Sequence, residues 1–211
     1  GIGGMLAVHR SFDHEVLRAG LKDGSLAGLL FPRDPVGNAP ALIRALALAF
    51  PARRGAYLLG LLVRIGWASP TLVRFDLALI LEFGARRRLL VIGRISALLP
   101  SPDNDLVRLN LDALGVLDFD AGTAAIDAML VDSRLAQRFV ISGAMALRAR
   151  WGSAANTGPG PGFVLAIGGF HPRFSPPAGL PKLDRLAIAL SSGDNPRLSC
   201  AAYFAITSNT L

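Results

Sequence analysis

The chain has 211 residues, 52% of them hydrophobic and 18% charged, with 22 Lys+Arg against 15 Asp+Glu for a formal net charge of +7. This balance excludes an intrinsically disordered chain, and no apolar run reaches the roughly 18 uninterrupted residues of a membrane-spanning helix. The single cysteine, Cys200, excludes an internal disulfide framework and a cysteine-rich zinc site. The basic excess is almost entirely arginine scattered along the chain, with lysine only at Lys22 and Lys182. A basic surface steers anions, but without a cluster or stripe it argues against a nucleic-acid partner.

In chain order, Met5 to Val8 reads as a short strand. Ser11 then stands as an N-cap, with Asp13 and Glu15 in the first turn of a helix on which Phe12, Val16, Leu17 and Leu21 follow helical spacing and which stops at Gly24. Phe31 to Gly37 is loop, and a second helix runs from Pro40 to Phe50, with Asn38 before it and Pro51 ending it. From Ala56 the period changes from 3.6 to 2. Val73, Phe75, Leu77, Leu79, Leu81 and Phe83 share one strand face, and Arg74, Asp76, Ala78, Ile80 and Glu82 share the other. The same alternation predicts strands at 57–67, 88–99, 106–117, 123–132, 138–151, 163–169, 183–191 and 197–207, nine in all. Turn-forming residues separate them, and the Gly- and Pro-rich stretch 152–162 is a flexible excursion between neighbouring strands.

The expected fold is therefore mainly β with a small α part. It is a long antiparallel meander forming a curved sheet or an incomplete barrel, with two short N-terminal helices. Residues 1–55 form a helical segment packing on the sheet, residues 56–211 the antiparallel β region, and together they make one structural domain. The chain opens on Gly1-Ile2-Gly3-Gly4 and stops at Leu211 just after an alternating pattern, so a piece of a longer protein is expected. The missing leader then leaves an extracytoplasmic or secreted setting open.

Few residues converge on a chemistry. Asp118-Phe-Asp120-Ala-Gly122 has the oxygen ligands and the glycine that open a calcium loop, but the closing bidentate Glu is absent, and a hairpin turn explains it as well. His9, His14 and His171 stand in no zinc-ligating spacing. The segment Phe170, His171, Arg173 and Phe174 is a candidate functional loop where a strand enters Pro-rich chain; His171 serves there as a base or, more simply, as a hydrogen bond ordering the loop. No Gly-x-Ser-x-Gly or phosphate-loop pattern occurs, and Cys200, on the apolar face of its strand, reads as an inert buried thiol. Arg86, Arg87 and Arg88 form the one basic run, a candidate anion contact on a hairpin tip or a solvated turn that discourages edge pairing. No cofactor and no metal are expected, and an enzyme reading requires a cleft that brings His171 or Asp184 beside another polar group.

The stretches Asp112-Ala-Leu-Gly-Val-Leu-Asp-Phe, Leu130-Val-Asp-Ser-Arg-Leu, Met145-Ala-Leu-Arg-Ala-Arg-Trp-Gly, Gly168-Gly-Phe-His-Pro-Arg-Phe and Ser192-Gly-Asp-Asn-Pro-Arg-Leu, with the closing Thr207-Ser-Asn-Thr, carry a family likeness. From about Met5 onward the chain resembles a bacterial domain family of unknown function, with some fungal members, that occurs in large β-rich proteins. The resemblance implies a sequence continuing beyond Leu211, and it brings no catalytic residues with it.

Strands with apolar residues on both faces require cover on both. The cover is the remainder of a longer chain, a second copy, or a hydrophobic ligand. The favoured expectation is a non-enzymatic structural or assembly module of a larger β-rich bacterial protein, with a hydrophobic-ligand or lipid-carrying groove as its alternative. An outer-membrane barrel fragment ranks lower, because the two Trp and two Tyr form no girdle in the sequence and helices precede the strands.

Overall fold

A computed structural model describes residues 1–23, 25, 28, 34, 36–157, 162–177, 179–190 and 199–208. The expected stop at Gly24, most of the loop 31–37, the centre of the excursion 152–162, the motif beginning at Ser192 and the end of Thr207-Ser-Asn-Thr lie outside these residues.

The chain forms β1 (Ile2–Arg10), α1 (His14–Lys22), α2 (Ala39–Ala49), β2 (Ala52–Trp67), β3 (Val73–Gly84), β4 (Arg88–Pro100) and β5 (Asp105–Asp118). There follow β6 (Thr123–Leu130), β7 (Ser133–Leu135), β8 (Phe139–Ser142), β9 (Ala144–Arg150), α3 (Ser153–Thr157), β10 (Phe163–Ile167), β11 (Leu186–Ala189), β12 (Ser199–Ala202) and β13 (Phe204–Thr207). All thirteen described strands belong to one antiparallel sheet, ordered β1-β2-β3-β4-β5-β6-β9-β10-β13. A branch leaves β5 through β7, β8, β11 and β12. Among the described residues β1 and β13 do not pair, so the sheet is open. The fold is thus mainly β with a small α part, as the period of two demands.

Three differences from the sequence reading have clear causes. Residues 1–55 are not simply helical: the strand expected at Met5 to Val8 extends over Ile2–Arg10 and is an edge of the sheet, and β2 already begins at Ala52. With Met5 to Val8 counted, ten expected strands become thirteen. One addition is the short β7, and two arise where a single expected strand breaks between the main path and the branch. At Gly143 the chain passes from β8, paired to β7 and β11, to β9, paired to β6 and β10. At Tyr203 it passes from β12, paired to β11, to β13, paired to β10. Alternation runs on through both breaks, so periodicity alone cannot see them. Gly168 lets these branches meet: it holds φ +67, and a Cβ there would lie 2.5 Å from the Ala202 carbonyl oxygen.

Asp13, not Ser11, caps α1. Its carboxylate accepts from the N–H groups of Glu15 and Val16 at 2.9 and 3.1 Å, while Glu15 and Lys22 sit at the ends that suit their charges. Ser11 is instead buried against the sheet. The second helix follows its expectation closely, with Pro40 in its first turn and Pro51 after its end. Phe12, Leu17 and Leu21 of the α1 region, with Phe50, pack on Leu58, Ala78, Ile80, Leu90, Ile92, Leu114 and Val116 to form the core. The helices therefore cover the sheet face bearing Asp76, Ala78, Ile80 and Glu82, not the wholly apolar face of β3. No helix among the described residues is long and apolar enough to cross a membrane.

Candidate functional site

The covered face carries its charges in cross-strand rungs. Arg64, Asp76, Arg94 and Asp112 stand opposite one another on β2, β3, β4 and β5, alternating in sign. Arg64 pairs with Asp76, and Arg94 holds Asp112 through two hydrogen bonds of 2.5 Å. The Asp112 carboxylate beside it raises the Arg94 pKa above its ordinary value. Nearer the other end of the strands, buried Glu82 accepts from Ser11 Oγ and Arg88 Nε, each at 2.5 Å, and Arg88 Nη2 donates to Ser11 Oγ at 3.0 Å. The Arg88 guanidinium lies 4.0 Å above the Phe12 ring. A third cluster joins Asp127 to Arg18 at 3.0 Å and to Arg148 at 2.8 Å, which ties α1 to β6 and β9.

The basic run 86–88 is therefore split. Arg88 is buried and paired with Glu82, which corrects its reading as an exposed anion contact: as the first residue of β4 it points to the covered face. Arg86 and Arg87 remain in the exposed turn. Arg87 donates from its backbone N–H and its Nε to the Asp120 carboxylate, both at 2.8 Å, and these bonds hold that carboxyl below its ordinary pKa. Asp118 Oδ1 accepts from the N–H groups of Asp120 and Ala121, which makes Asp118–Gly122 a hairpin turn whose carboxylates are engaged. Among the described residues, no group of three His, Cys, Asp or Glu side chains is placed to hold a metal ion.

In the second candidate loop, Phe170 and Phe174 stack with ring centres 5.2 Å apart. His171 Nδ1 accepts from the Arg173 N–H at 3.1 Å, and its ring meets Tyr203 edge-on at 6.1 Å. Arg185 anchors the loop by donating to the Gly168 and Phe170 carbonyls at 3.0 and 2.7 Å, with its guanidinium 4.4 Å over Tyr203. Asp184 lines a separate cavity of about 280 Å³ with Arg18, Asp127 and Lys182. Cys200 is exposed, not buried, because among the described residues β12 pairs only with β11 and lies at the margin of the branch.

Sequence reasoning missed the role of His14, which carries no motif. The imidazole lies where α1 meets the sheet, and its Nε2 is enclosed without a hydrogen-bond partner among the described residues. Burial, followed by the positive charge of Arg18, lowers its pKa from 6.5, against opposing contributions from Glu15 and Asp127. The unfolded chain takes up a proton near 6.5 that the fold resists. The fold's full stability is therefore present above that pH and declines as pH falls below it. His14→Gln is expected to flatten this decline between about pH 7 and pH 5 in urea-denaturation midpoints. Equal slopes in variant and parent would refute the assignment.

Opposite the helices, the sheet presents an unbroken apolar face. Ile2, Leu6 and Val8 on β1 are followed by Tyr57, Leu59, Leu61, Val63, Ile65 and Trp67 on β2 and the odd-numbered residues 73–83 on β3. The registers extend it through Leu89, Val91, Ile95, Leu111, Leu117, Ile126, Leu147, Leu165 and Ile206 to β13 without a charged residue. Leu6 is 69% exposed, Leu59 53% and Trp67 66%. An open antiparallel sheet with ion-paired rungs under two helices and an apolar opposite face defines the class: a mainly-β sheet module with one face left uncovered by the described residues. Within that class the chain belongs to the family described as "Family of unknown function (DUF6603)", whose model matches residues 1–211. No curated protein and no solved structure matches it.

Proposed function

We propose that the chain is a non-enzymatic structural module whose uncovered sheet face is occupied by lipid acyl chains, within the larger β-rich bacterial proteins that its family resemblance suggests. The observation that carries this reading is the chemical uniformity of the face, which offers almost no hydrogen-bonding side chain from β1 to β13. Protein interfaces mix polar groups into their apolar area and concentrate Arg and aromatics at hot spots. Hydrocarbon is the partner that requires no polar group in return. Aromatics flank the stretch shared by β2 and β3: Tyr57 of β2 stacks on Phe83 near the end of β3, and Trp67 ends β2. They are ten positions apart (67 − 57), roughly 33 Å at about 3.3 Å per residue, close to the ~30 Å of a hydrocarbon layer.

The test is native mass spectrometry of the chain before and after chloroform–methanol extraction, with mass analysis of the extract. Acyl lipids are expected at fixed stoichiometry, released on extraction and lost from Leu79→Glu, which places a charge on the apolar face. A lipid-free monomer would end the reading, and a lipid-free dimer would assign the face to a second copy.

A further inference from the structure

A cavity of about 390 Å³ opens on the covered side of the sheet at the start of α1, away from the apolar face. His14, Arg88, Asp118, Thr123, Arg148 and Arg150 contribute its polar lining, three guanidinium groups to one carboxylate. Arg88 and Arg148 are held in place by Glu82 and Asp127 from outside the lining, Arg150 likewise has an interaction partner, and Asp118 Oδ1 is engaged by two backbone N–H groups, so the guanidinium groups are positioned before any anion arrives. The cavity has the size of a small-molecule site, with convergent polar groups in an otherwise apolar wall that includes Val116 and Val164. His14 belongs to the lining, and its Nε2 is enclosed behind that surface without a hydrogen-bond partner among the described residues.

We infer that this cavity binds a small oxyanion, a phosphate or carboxylate group carried either free or as a lipid headgroup. Guanidinium groups match such oxygens bidentately, the Thr123 hydroxyl adds a further donor, and the His14 imidazole stands beside them in the lining. The groups facing His14 are Arg18 and Glu15 on its own helix, Asp127 on β6 and Arg148 on β9. An added anion offsets the two arginines that disfavour the protonated ring. This inference uses only the covered face and stands independently of the lipid reading above.

The test follows the His14 imidazole resonances by NMR while the whole chain is titrated with inorganic phosphate and, separately, with dihexanoyl phosphatidic acid. Saturable shifts of His14 are expected. Arg150→Gln should weaken binding about tenfold, as for loss of one charge-assisted contact, while Arg53→Gln on the exposed start of β2 should bind as the parent does. Tighter binding of the phosphatidic acid identifies a lipid headgroup as the source, and equal binding a free oxyanion. Unmoved His14 resonances with both probes, or parental affinity in a folded Arg150→Gln chain, would overturn the inference. If Arg150→Gln does not fold, the parent titration decides the matter, because His14 itself reports occupancy.

Discussion

Replacing Arg88 by methionine is expected to lower the unfolding free energy by about 3–5 kcal/mol, the range for breaking a buried ion pair by removing one partner. Glu82 is fully buried, and Arg88 is its charge partner and also donates to the same Ser11 hydroxyl. Without the guanidinium, a carboxylate remains in the core with, among the described residues, only the Ser11 hydroxyl to stabilise it, and the contact with the Phe12 ring is lost as well. The double variant Glu82→Gln, Arg88→Met leaves no uncompensated charge and should recover a large part of the loss. Urea denaturation of the parent, both single variants and the double variant closes the cycle. Additive losses would show that the two groups do not act as a pair.

Leu17→Ala is expected to cost about 2–5 kcal/mol, the range for emptying a closed core position. Leu17 is the α1 side chain most completely enclosed against Leu58, Ile80, Leu90 and Leu114. Its loss leaves a cavity between helix and sheet that neither can collapse to fill. Leu79→Ala supplies the contrast. That residue has the same chemistry on the same sheet but is 37% exposed on the opposite face, so its truncation opens a notch to solvent and should cost far less. Thermal melts of the two variants check the ranking, and a reversal would mean that the apolar face, not the helical one, holds the core.

That contrast also marks how far the sequence could be read. Strands, turns and the ends of the second helix were legible because each rests on a local signal: alternation, turn residues, Pro40 and Pro51. Which face becomes core was not. On residues 73–83 hydropathy favours the odd-numbered positions, yet the helices land on the even-numbered face and bury Asp76 and Glu82. Those charges are stable there because Arg64 and Arg88 meet them from neighbouring strands, and such pairing depends on register rather than on local composition. Ser11 lies 77 residues from Arg88, so the hydroxyl between Arg88 and Glu82 reads locally as a helix cap. His14 is similar in part: beside its sequence neighbours Arg18 and Glu15 it faces Asp127 and Arg148, more than a hundred positions along the chain. Cys200 was misread because alternation assigns a face but says nothing about whether a strand lies at a margin.

The alternating rungs have a consequence for how the sheet finds its own alignment. A slip of one residue between strands would exchange the faces and is strongly resisted wherever one face is buried. A slip of two residues preserves both faces, and a surface of interchangeable Leu, Ile and Val would accept it almost without penalty. The rungs do not accept it: sliding β3 by two positions against β4 sets Asp76 opposite Ile92 or Ser96 in place of Arg94, and strands buried a carboxylate without its counter-charge. Four charged side chains on β2 to β5 thus act as a ratchet that rejects misaligned sheets which the greasy side would tolerate. A chain lacking them is one in which many alignments of nearly equal energy compete.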